Sequence, residues 1–168
     1  MIRTVASSVE AVFAALNAAE VRYLVVGGVA VVLHGHLRTT ADLDLVVQLE
    51  GDNVRRALAA LTALGYRPRA PVQAQQFAEK TQRESWISEK GLTVFSLWSA
   101  ARPDLEVDLF VREPFDFDAA YARALHAQLE TTTAPVVCLD DLVALKRNAA
   151  RNQDLADIEA LQRLQGKR

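Results

Sequence analysis

Residues 23–47 read YLVVGGVAVVLHGHLRTTADLDLVV, and the reading of this stretch decides the fold. The apolar run Tyr23–Val26 breaks at Gly27–Gly28. A second short apolar segment, Val29–Leu33, ends near Gly35. The polar patch Arg38–Thr39–Thr40 then leads to Asp42–Leu43–Asp44 at the head of the run Leu45–Val47. Apolar runs punctuated by glycine predict a strand, a tight turn, a short helix, a loop and a second strand. Carboxylates at positions i and i+2 of a strand point to one face, about 6.5 Å apart. Two negative charges held side by side repel, and a hard divalent cation with oxygen ligands, such as Mg²⁺, relieves that repulsion.

The bulk properties set the frame. The chain has 168 residues, of which 51% are hydrophobic, enough to bury a core within one domain. Nineteen basic residues against 21 acidic ones give a net charge of −2. That balance disfavours a general polyanion binder but leaves room for a local positive pocket. The single cysteine, Cys138, has no partner for an internal disulfide, which suits a reducing compartment. No secretory signal is evident in MIRTVASSVE, and no apolar window of about 18 residues reads as a membrane span. A soluble cytoplasmic domain is expected.

Working outward, Ser7 and Glu10 match a capping box, and the apolar spacing that follows predicts a helix from about Ser8 to Ala19. Gly51–Asp52 should cap a helix from Asn53 to Leu64, stopped at Gly65. Residues Arg67–Lys90 read as loop with one possible helical turn. Leu92–Trp98 and Leu105–Val111 read as a strand hairpin about the turn Arg102–Pro103–Asp104. In the second of these strands Glu106, Asp108 and Phe110 share one face. Pro114 should open a helix from about Phe115 to His126. Ala134–Val137 is a short extended run, a helix capped by Asp140 runs through Ala150, and a last helix runs from Asp154 to about Gln165. The order is α+β, one domain over residues 1–168, with a core of about 7–112 and a helical C-terminal third of about 113–168.

Gly27-Gly28, Arg38-x-Thr40-x-Asp42-x-Asp44 and a later Asp108 on a strand resemble the nucleotidyltransferase superfamily with its polymerase-β-like core. Asp141-Leu142-Val143-Ala144-Leu145-Lys146, followed by Asp154-Leu155-Ala156-Asp157-Ile158, resembles the Lys- and Asp-containing motifs of the AbiEii-type branch, which holds toxins of toxin–antitoxin systems. The matches run from about residue 21 to residue 160. The resemblance implies a small mixed, largely antiparallel sheet flanked by helices. It also implies transfer of an NMP group from an NTP, ATP among them, to a hydroxyl acceptor with release of pyrophosphate.

Each residue then has an implied role. Gly27 and Gly28 would bring backbone N–H groups to the triphosphate, and any side chain there would block the approach. Many relatives carry Ser at the second position; with Gly28, phosphate contact would rest on the backbone and on Arg38, with Thr40 beside it. Asp42, Asp44 and Asp108 would bind Mg²⁺, two ions about 3.5–4 Å apart, with Mn²⁺ a possible substitute. Lys146 would neutralise phosphate charge, and Asp154 would orient that lysine or act as a base. Asp157 reads as structural, His34 as a packed core histidine, His36 as a loop residue, and Trp86 and Trp98 as core. Glu106 is the fallback ligand. The acceptor is a protein side chain, an RNA 3′ end, such as that of tRNA, or a small molecule. Arg55, Arg56, Arg67 and Arg69 offer a small patch for an RNA end, and an antitoxin protein is a further implied partner. The alternative is a catalytically silent module that binds nucleotide or a partner on the same fold.

Overall fold

The computed structural model describes residues 2–167. Its centre is the predicted unit: strand β1 (Tyr23–Val26), helix α2 (Gly27–Leu33) and strand β2 (Asp42–Val47), preceded by helix α1 (Ile2–Ala18). β1 and β2 pair antiparallel, with Val26 opposite Asp44. Helix α3 (Gly51–Ala63) follows, and its cap is Glu50, whose carboxylate accepts from the N–H groups of Asp52 and Asn53. Strands β3 (Arg67–Pro68), β4 (Val94–Trp98) and β5 (Glu106–Phe110) extend the sheet on one side. Strands β6 (Leu125–Gln128) and β7 (Thr133–Val136) extend it on the other, giving the order β3-β4-β5-β2-β1-β7-β6. Two pairings are parallel, β2 with β5 and β1 with β7, and the remaining four are antiparallel. The sheet is therefore mixed and largely antiparallel, as expected.

Alternation along the strands separates two faces. Leu43, Leu45, Phe95, Leu97, Val107 and Leu109 are buried in the core. Over this face Trp86 of helix α4 (Lys80–Lys90) stacks on Phe95 at 5.3 Å and Phe77 stacks at 5.0 Å, pairs that contribute about 0.5–1.5 kcal/mol each beyond their burial. The opposite face carries Asp42, Asp44, Asp108 and Ser96. Helices α6 (Leu139–Ala149) and α7 (Asn152–Gly166) pack against each other, and α6 borders that face together with α2.

Four expectations need correction. Residues Arg67–Lys90 hold strand β3, a short 3-10 helix (Ala74–Ala78) and the eleven-residue α4. The helix expected to reach His126 stops at Ala122 as α5 (Phe117–Ala122), and His126 lies in edge strand β6. The first helix begins at Ile2, which leaves Ser7 inside it. Trp98 is 38% exposed, at the end of β4 on the polar face, where the Arg69 guanidinium stacks over its ring at 5.5 Å. Trp86 and His34 are core residues as read, and His34 Nε2 donates to the Val137 carbonyl at 2.8 Å.

Asn53 fixes the start of the central unit from below. Its buried amide accepts from Arg22 N–H at 2.8 Å and donates to the Arg22 and Gln48 carbonyls at 3.0 and 2.9 Å. Each buried backbone group stripped of a partner costs about 1–3 kcal/mol. Asn53→Ala is therefore expected to lower the unfolding free energy by about 2–4 kcal/mol in a urea titration, with the helices retained.

Candidate active site

The loop from Gly35 to Ala41 and the turn at Gly27 place the polar groups at one end of the central strands. In β2, Asp42 and Asp44 share a face, and parallel pairing sets Asp44 directly beside Asp108 and Asp42 beside Glu106. Neighbouring strands lie about 4.7–4.9 Å apart, so three carboxylates crowd one corner of the sheet. Burial and the charges of Asp108 and Asp42 push the Asp44 carboxyl up to about 6, against the opposing pull of Lys146 and Arg151. Asp108 is also raised, by burial first and by Asp42 and Glu106, while Ser96 beside it acts in the other direction.

The turn fits these acids closely. Gly27 has φ +68°, and a Cβ there would stand 2.1 Å from Asp44 Oδ2. Both the backbone and the neighbouring carboxylate require glycine. A Cβ on Gly28 would meet Arg38 Nη2 at 2.8 Å and Thr40 Oγ1 at 3.0 Å. The space that a serine side chain would fill is thus held by the Arg38 guanidinium. Thr40 Oγ1 donates to the Asp42 carbonyl at 3.1 Å and steadies the loop before β2.

Cations brace the site from the helical side. Lys146 on α6 is 5% exposed, and its Nζ lies 3.2 Å from Asp154 Oδ1 and 3.0 Å from Asp157 Oδ2. Asp157 also pairs with Arg38 Nε at 3.2 Å and accepts from Gln153 Nε2 at 3.0 Å. Asp154 accepts from the Arg151 backbone N–H and guanidinium as well as from Lys146. Burial alone would raise the Asp154 carboxyl, but those hydrogen bonds outweigh it and hold it below its ordinary value. A carboxylate so occupied orients Lys146 and is a poor proton acceptor. Breaking one partner of such a buried pair costs about 3–5 kcal/mol, so this network fixes where Arg38 and Lys146 stand.

All nine candidates line one cleft of about 900 Å³: Gly27, Gly28, Arg38, Thr40, Asp42, Asp44, Asp108, Lys146 and Asp154. Glu106 does not line it; this residue is ion-paired with Arg69 at its outer edge. Asp157 does not line the cleft; it joins Arg38 of the loop to Lys146 of α6. Its spacing of three from Asp154 puts both on one helix face, a signal that they share a cation. Phe110, Arg112 and Leu145 also line the cleft, and none of them is assigned a role there from the sequence.

The oxygen-only donor set suits a hard divalent ion. Asp108 Oδ1 is buried without a hydrogen-bond partner, so its lone pairs fit a ligand role. Among the described residues no three or more His, Cys, Asp or Glu side chains are grouped so that they could hold a metal ion by themselves. The aspartates form an open row, and a bound ion would take its other oxygens from phosphate and water.

The mixed sheet with its glycine turn and acidic corner is the fold of a nucleotidyltransferase. The chain belongs to the family described as "Nucleotidyltransferase of unknown function (DUF6036)", whose model matches residues 2–165. Solved structures of antibiotic nucleotidyltransferases share the fold at low identity. The solution structure of the antibiotic-resistance factor ANT(2'')-Ia aligns with a TM-score of 0.66 at 13% identity, over 96% of this chain and 84% of that one. The same factor in complex with adenylyl-2''-tobramycin gives 0.58 at 13%, over 96% and 95%. The lincosamide antibiotic adenylyltransferase LnuA, lincomycin-bound, gives 0.56 at 13%, over 86% and 88%. No curated protein matches the sequence. Among the described residues no helix is long and apolar enough to cross a membrane.

A raised carboxyl binds its proton more tightly folded than unfolded, so ionising it lowers stability as pH rises from about 4 through the folded value of about 6. Asp44→Asn removes that charge. In EDTA, the variant is expected to melt higher than the parent at pH 7.5, with the gain fading towards pH 4. Scanning calorimetry across that range checks it, and a gain independent of pH contradicts the crowding argument.

Proposed function

We propose that the protein is a Mg²⁺-dependent nucleotidyltransferase that moves an NMP group from an NTP to a hydroxyl on a small molecule. The observation that carries this is the register placing Asp108 beside Asp44, with the glycine turn at the same end of the sheet. Family membership and the antibiotic-modifying structural neighbours support it.

Asp42, Asp44 and Asp108 would hold the Mg²⁺, for which Mn²⁺ could substitute; when bound it offsets charge on the phosphate oxygens. The backbone at Gly27–Gly28 and the Arg38 guanidinium bind the β- and γ-phosphates, and Lys146 adds positive potential from α6. Of the two Asp108 oxygens, the buried and unpartnered Oδ1 would serve the ion, and the other accepts the acceptor's hydroxyl proton. The freed oxygen forms a bond to the α-phosphorus as the bridging bond to pyrophosphate breaks, and pyrophosphate leaves towards Arg38. Asp154 and Asp157 keep Lys146 and Arg38 in place.

A small-molecule acceptor is favoured over an RNA end. Of the arginines available for an RNA footprint, Arg55 is ion-paired with Asp52 and Arg69 with Glu106, and each phosphate contact needs a free cation. The matched family is described only as a nucleotidyltransferase of unknown function, so it brings neither a toxin role nor an antitoxin partner to the reading.

Incubation with Mg²⁺ and each α-labelled NTP, over a library of hydroxylated compounds, should yield a labelled product and pyrophosphate. Asp44→Asn and Asp108→Asn should each cut the rate by more than about 100-fold, since even groups that merely orient metal ligands are worth 10–100-fold. Nucleotide binding without turnover on any acceptor would favour the silent module, and full activity in Asp44→Asn would remove the site.

A further inference from the structure

The cleft changes character along its length. One end is the glycine turn with Arg38 and Thr40. Beyond the acids, the floor becomes Phe110 and Val94, which pair opposite each other two residues along β5 and β4 from Asp108 and Ser96, on the same face. Leu142 and Leu145 of α6, and Ile87 of α4 with Leu92 just beyond it, are the other large apolar side chains that line the cleft. Of the charged side chains lining the cleft, Arg112 is the one that follows this apolar stretch; the carboxylates stop at Asp108. The next acid on this face, Glu106, lies in the opposite direction along β5 and is held by Arg69.

In-line displacement sends the entering oxygen to the side of the phosphorus opposite the leaving pyrophosphate. Pyrophosphate belongs with the glycine turn, on the β1 edge of the carboxylate row. The opposite approach crosses Asp108 onto β5 and β4. The geometry points to the Phe110 end as the place where the acceptor binds, and to an acceptor that carries its hydroxyl on an apolar body without ammonium groups. This rests on the nucleotidyltransferase reading above. An aromatic or alkyl body would bury against Phe110, Leu142 and Leu145. An ammonium group would lose its water there, find no carboxylate and face Arg112. The nucleoside, which stays on the transferred phosphorus, would extend towards the polar lining residues Asn148, Arg151 and Gln153.

The test uses α,β-methylene-ATP with Mg²⁺, which cannot release pyrophosphate, and 2-naphthol, a fluorescent neutral alcohol with an apolar body. The loaded protein is expected to bind 2-naphthol saturably, and tobramycin, an amino sugar, should not displace it. Phe110→Ser and Leu145→Gln, from separate elements, should each weaken 2-naphthol about tenfold or more while nucleotide affinity stays within about twofold. Retained nucleotide binding also shows that each variant folds. Displacement by tobramycin, or 2-naphthol affinity unchanged in both variants, overturns the assignment. So does loss of nucleotide affinity in both, which would put the base at Phe110 instead. If nucleotide binds but 2-naphthol does not, the acceptor assignment fails alone. If the wild-type protein binds no nucleotide, the transfer reading fails and takes this one with it.

Discussion

The repulsion among Asp42, Asp44 and Asp108 governs the design of this molecule. Strand pairing forces Asp44 and Asp108 side by side, and the cost is visible in the raised carboxyls. Isolated charges in such a place would neutralise themselves by taking up protons. Here they stand at the edge of a cleft, with Asp42 exposed and cations held a short distance away. That placement leaves the carboxylates partly solvated and within reach of compensating charge. A sheet stabilised by its apolar opposite face can carry that local strain, because the core beneath Leu43, Leu45, Val107 and Leu109 is continuous.

The cations are managed with equal care. Lys146 is too buried to stand alone, so two aspartates hold it, and one of them reaches on to Arg38. The result is a chain of alternating charge from α7 through α6 to the loop before β2. Arg38 in turn occupies the volume beside Gly28. A hydroxyl at that position would be a local hydrogen-bond donor. A guanidinium brought from ten residues away delivers a full charge, and its position depends on the helical side of the protein. The placement of Arg38 and the packing of the last two helices are therefore one property.

How much could be read in advance follows from the strength of local signals. The β1–α2–β2 unit was legible because two glycines interrupt apolar runs and the DxD spacing fixes a face. Asp108 was legible because strict alternation in Leu105–Val111 sets its side. The segment Arg67–Lys90 was not, since α4 buries only Arg83 and Trp86 of KTQRESWISEK and shows almost no apolar stripe. The break between α5 and β6 carries neither glycine nor proline, so helical periodicity seemed to run on through Leu125. Trp98 misled because a large aromatic in a strand suggests core, whereas this strand faces an open surface at its end. Of the site, the acids and glycines were readable from spacing. The contact of Asp157 with Arg38 was not, because it depends on where the loop before β2 and a helix near the C-terminus meet.

The charged brace also orders events during synthesis. Domains form as the chain emerges, N-terminal portions first. A nascent chain exposed through β5 already owns all three acids, yet it lacks Lys146 and the aspartates that hold Arg38. Only when α7 leaves the ribosome can the Arg38 end of the cleft take shape. Until then the acidic corner has no counterweight, and the growing protein carries its crowded carboxylates without the cations that later stand beside them.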